Sequence, residues 1–163
     1  MKKFMYMCMM LLAATLTFTA CGSDDDDNPN NGGGQQQGQN LESGEVNQDN
    51  YYSYSEIANV KGAGQIGVKG EAWFENGKCN KVQYSYIMPS KASAKQVKDI
   101  FDKDADRYGS IYYDGDKTVS YTEQERTITM FAQMDKEAVC KQVKATVQYV
   151  VESMMAEPEY EYD

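Results

Sequence analysis

Apolar positions divide this chain into three stretches. Residues 5–18 are an almost unbroken apolar run, and residues 22–50 hold little that is apolar beyond Leu41 and Val46. From Tyr51 onward, apolar and polar positions alternate in short periodic blocks, so the fold must be built there. Val82, Tyr84, Tyr86 and Met88 recur at every second position, the period of a strand with one buried face. Glu75-Asn76-Gly77-Lys78 and Tyr113-Asp114-Gly115-Asp116 carry the Asn-Gly and Asp-Gly pairs that suit hairpin turns with positive φ. They predict one hairpin joining 66–74 to 79–88 and a second joining 110–113 to 118–122. Ile128, Met130 and Phe131 make 127–134 a further predicted strand.

Two blocks have helical spacing instead. Ser93 with Gln96 has the form of a capping box, and Val97, Ile100, Phe101 and Tyr108 follow on one stripe until Gly109. Asp135 can cap a second helix, along which Val139, Val143, Val147, Val150 and Met154 share a face. Local hairpins without a βαβ crossover pattern predict an α+β domain. The expected architecture is an antiparallel sheet of four to five strands, in β-β-α-β-β-β-α order, with two helices packed on one face.

The first apolar run follows the cations Lys2 and Lys3 and is too short for the roughly 20 residues that span a hydrocarbon core. It ends at Phe18-Thr19-Ala20-Cys21, small residues leading into a cysteine. This resembles the lipobox of bacterial lipoproteins. The resemblance implies cleavage after Ala20 and acylation of Cys21, whose chains would bind a lipid bilayer. Gly22-Ser23 and the four aspartates from Asp24 to Asp27 resemble the acidic export signal of Bacteroidetes surface lipoproteins. That implies an outer-membrane protein exposed on the cell surface, with a periplasm-facing one as the alternative. The expected organisation is a signal peptide over 1–20, a lipidated and disordered tether over 21–50, and a single domain over 51–163. As a flexible coil the tether would reach roughly 30 Å.

Composition narrows the chemistry. The chain has a net charge of -9, and after loss of Lys2 and Lys3 its 14 basic and 25 acidic residues give -11. Such a surface repels phosphate backbones, and the lysines are not clustered, so nucleic acid is not an expected partner. No histidine is present, which removes the usual general base and the commonest metal ligand. No Ser-x-x-Lys occurs either, leaving Glu71, Glu75, Glu123 and Glu125 as the groups from which a glycan hydrolase could draw a carboxylate pair.

Other motifs have bland explanations. Gly62, Gly64 and Gly67 match G-x-G-x-x-G but lead into strand-like alternation rather than a helix, so no cofactor is expected. Asp114, Asp116, Thr118, Ser120 and Glu125 echo a calcium loop, yet Val119 stands where the sharp turn needs glycine, so no metal is expected. Cys79 and Cys140 are the thiols left to the domain, and in an oxidising exterior they form a candidate disulfide.

The unusual resource is aromatic: 13 tyrosines and one tryptophan. Tyr51, Tyr52, Tyr54, Trp73, Tyr112 and Tyr113 are the candidate ligand-binding residues. The sequence thus points to a membrane-anchored, non-enzymatic binding domain for a glycan, peptide or protein. A carboxylate-based glycan hydrolase, or an inhibitor or envelope-assembly factor, are the alternatives.

Overall fold

The computed structural model describes residues 41–156. The expected signal peptide, Cys21, residues 22–40 of the expected tether, and the tail with Tyr160 and Tyr162 lie outside the described residues. The domain is α+β, as expected, but richer in strands. Six strands, β1 (Gly44–Gln48), β2 (Tyr51–Val60), β3 (Gly64–Glu75), β4 (Lys78–Ile87), β5 (Ile111–Tyr113) and β6 (Thr118–Thr122), form one sheet in the order β1-β2-β3-β4-β6-β5. Every neighbouring pair is antiparallel. Three helices follow the fourth and sixth strands: α1 (Lys91–Lys103), then α2 (Glu125–Phe131) and α3 (Lys136–Met155).

Both predicted hairpins form. The β3–β4 turn has Asn76 at φ 52° and Gly77 at φ 76°, the doubly positive conformation whose twist matches the strands it joins. Asp114 fastens the β5–β6 turn, its Oδ1 accepting the backbone N–H groups of Asp116 at 2.8 Å and Thr118 at 3.0 Å. Burial pulls its carboxyl upward, but these bonds win and leave it below the usual aspartate value. The carboxylate thus closes its own hairpin turn. Gly62 and Gly64, both at positive φ, turn β2 into β3, so the glycine motif connects two strands and opens no helix.

Four expectations are corrected. Residues 44–48, assigned to the tether, form edge strand β1, and the ten residues of β2 pair with β3 along their whole length. Residues 127–134, expected as a strand, belong to α2 and the turn after it. Both sides of β6 are already taken by β4 and β5, so the sheet offers this segment no neighbouring slot, and Ile128 with Phe131 meets the core at helical spacing. The capping box of α1 is Ser90 with Ser93 rather than Ser93 with Gln96. Finally, α1 stops at Lys103, and Tyr108 reaches the core from beyond a short 3₁₀ turn at Ala105–Arg107. Helix α3 begins where expected, with Asp135 Oδ1 accepting the N–H of Ala138 at 2.7 Å.

All three helices pack on one face of the sheet. Ile66, Val68, Ala72, Val82, Tyr84, Tyr86 and Val119 point toward them and are buried. Val139, Val143 and Val147 of α3 are 0% exposed, and burying each stabilises by about 1.5–3 kcal/mol relative to water. The close approach is made at Gly70, where a Cβ would lie 2.7 Å from Val143 Cγ1 and 2.9 Å from Val147 Cγ2. Under α1, Phe101 packs against Tyr86, Tyr108 and Tyr121 with ring centroids 5.0–5.7 Å apart.

Candidate functional site

Among the described residues, no helix packs on the opposite face. Strand register lays its side chains in transverse rows: Gln48, Tyr51, Trp73 and Lys81; then Val46, Ser53, Glu71, Gln83 and Thr122; then Gly44, Ser55, Lys69, Ser85, Ser120 and Tyr112. A fourth row, Ile57, Gly67, Ile87 and Thr118, closes the far end. There Leu41 lies on Gly67, its Cδ2 2.5 Å from where a Cβ would be, and the Glu42 carbonyl accepts the Ser55 hydroxyl at 2.8 Å. The chain therefore enters the domain across one end of the open face. The aromatic row stands at the other end, roughly 20 Å away along the strands.

That aromatic row is the candidate site. Trp73 is half-buried; Tyr51 tilts against it at 5.6 Å between centroids, and the Lys81 ammonium sits 4.3 Å from the centre of its ring. The Tyr51 hydroxyl donates to Glu71 at 2.6 Å, and Lys69 pairs with the same carboxylate at 2.8 Å. Burial first, and then the Glu71 carboxylate, raise the Tyr51 phenol above its ordinary value, so it stays a donor. Beyond this corner Ser53, Ser85, Thr118 and Ser120 are buried between longer side chains, Ser85 and Ser120 sharing a hydrogen bond of 2.8 Å.

The six aromatic candidates divide. Tyr51 and Trp73 come together on the open face. Tyr52 is 1% exposed on the helix side, where its hydroxyl donates to Glu45 at 2.9 Å. Tyr54 also faces the helices, with Lys144 4.8 Å over its ring. Tyr112 is on the open face and 65% exposed, but it stands on edge strand β5, three strands from Trp73. Tyr113 donates its hydroxyl to the Asp116 carbonyl at 3.1 Å and belongs to its own hairpin.

Lys81 was not a sequence candidate, and the reason is a bulge. A regular hairpin from Asn76-Gly77 would set Trp73 opposite Asn80, but the register shifts between Trp73 and Phe74 and brings Lys81 across instead.

The four carboxylates do not gather into one site. Glu71 is on the open face, while Glu123 acts on Tyr84 and Tyr121 of the helix side and is itself raised by burial. Glu75 and Glu125 line a shallow groove of about 660 Å³ beside the β3–β4 turn and α2. Cys79 and Cys140, the candidate disulfide, are both free thiols in the shared core. The Cys79 Sγ donates to the Lys81 carbonyl at 3.6 Å, and burial raises both thiols, which disfavours the thiolate needed for exchange.

Among the described residues, no helix is long and apolar enough to cross a membrane, and no three His, Cys, Asp or Glu side chains come together as metal ligands. The chain matches no family profile, no curated protein and no solved structure.

Proposed function

We propose that this chain is a lipid-anchored surface lipoprotein whose folded domain is a non-catalytic binding module, with the open sheet face as its ligand surface. One observation carries the reading: the helices of the described residues all pack on one side, leaving on the other a tyrosine–tryptophan corner with the Lys81 ammonium over the indole ring. Aromatic rings offer contact area at little entropic cost, and the half-buried Gln83 and Thr122 in the next row both donate and accept, a combination suited to sugars. The corner lies at the end of the face away from Leu41, so a domain held through Cys21 would present it outward. The hydrolase alternative has weaker support, because Glu71 is engaged by Tyr51 and Lys69 while Glu123 stands across the sheet.

The test is retention of the purified full chain on a panel of immobilised polysaccharides. Wild type is expected to be held on at least one of them, and a Tyr51→Ala/Trp73→Ala double variant with an unchanged circular dichroism spectrum to be released. A folded double variant retained as well as wild type would refute the assignment of the face.

A further inference from the structure

We propose, resting on the binding-face reading, that the Tyr51–Trp73–Lys81 corner takes an acidic saccharide, its carboxylate paired with Lys81 and its ring packed on Trp73. The charge balance of the face supports this occupant. Three charged side chains stand in its rows, Lys69, Glu71 and Lys81, so a chain of net charge -9 carries here a surface with one excess cation. Lys69 and Glu71 neutralise each other at 2.8 Å. Among the described residues the Lys81 ammonium meets the Trp73 ring and no carboxylate. A ring face satisfies part of a cation's field and leaves its N–H donors for an incoming anion. A carboxylate that binds Lys81 draws the ammonium off the indole and frees that ring for the apolar face of a pyranose.

The neighbouring row supplies what the rest of a sugar needs. Gln83 and Thr122 are half-buried neutral groups that both donate and accept, and Glu71, fixed by Tyr51 and Lys69, offers a carboxylate edge to sugar hydroxyls. An extended acidic peptide fits less well. Such peptides are bound by adding a strand to a sheet edge, whereas Trp73 and Lys81 stand on β3 and β4, each already paired on both sides. The acidic remainder of the domain repels a polyanion, which confines binding to this face and makes it sensitive to salt.

Titration calorimetry of the full chain against polygalacturonate, neutral galactan and polyglutamate, at low and at physiological salt, tests the inference. Polygalacturonate is expected to bind most tightly and to weaken with salt. Loss of the charge-assisted bond in Lys81→Gln should cost about tenfold or more in affinity, with Lys117→Gln as an unaffected control. Galactan binding as tightly as polygalacturonate would overturn the acidic assignment and leave the binding face standing. Equal binding of polyglutamate would overturn the saccharide, and binding of none of the three would overturn the proposal outright. Release of the Tyr51→Ala/Trp73→Ala variant from the polysaccharide panel separates that last result from failure of the binding face itself.

Discussion

The two faces of this sheet are made from the same strands, residue by residue in alternation, and they have opposite chemistry. The helix side gathers Tyr84, Tyr86, Phe101, Tyr108 and Tyr121 into one aromatic cluster, closed by valines of α3. The open side places Ser53, Ser55, Ser85 and Ser120 on β2, β4 and β6 and keeps one aromatic pair at its end. Tyrosine therefore has two uses within one domain. Where helices cover it, burial raises the phenol, to about 12 for Tyr84, and the ring is structural. On the other face Tyr51 is half-buried beside Trp73, its hydroxyl held by Glu71, and it is there that the proposed ligand would meet it.

If that division is real, substitutions on the two faces must differ sharply. Phe101→Ala removes a side chain that is 0% exposed and touches three tyrosine rings. It should cost about 3–5 kcal/mol in urea denaturation. Two glycines of β3 make the cleaner contrast. Gly70→Ala drives a methyl into Val143 and Val147 of a packed helix and should cost about 1–3 kcal/mol. Gly67→Ala, three residues earlier on the open face, clashes with the end of the Leu41 side chain, which can swing aside, and lies at ordinary contact distance from Ile87, so its cost should stay below about 1 kcal/mol. Equal losses at the two glycines would mean that the open face is packed as tightly as the covered one.

The smallest effect is a matter of pH. Burial raises Glu123, so the folded state holds that proton more tightly than the unfolded state does. The ionised group then costs stability at pH 7, and the cost fades as pH falls through the raised folded value toward the ordinary 4.5. Glu123→Gln should raise the melting temperature slightly at pH 7 and leave it unchanged at pH 3. A variant less stable at pH 7 would place Glu123 in a polar, solvated setting and move the boundary between the faces.

Both hairpins, the Asp135 cap and the buried stripe of α3 were legible in the sequence, because each depends on neighbours a few residues apart. A two-residue turn needs positive φ, and a helix start needs an acceptor for its free N–H groups. The same local rules misplaced 127–134, whose β-branched residues suit a strand but find no neighbouring slot beside β6. They also passed over β1, whose residues are all exposed and show no periodic burial to detect.

The candidate site was legible only as a list of aromatic residues. Local order alone placed Tyr51 and Tyr52 on opposite faces without saying which face the helices would cover. That choice follows from where α1 and α3 bury their stripes, a contact between segments up to about a hundred residues apart. The Lys81–Trp73 contact depends further on one bulge that shifts strand register, because a single extra residue changes which side chains stand opposite. Sequence by itself determined the turns, the caps and the supply of tyrosine; tertiary packing decided which rings became core and which were left to meet the solvent.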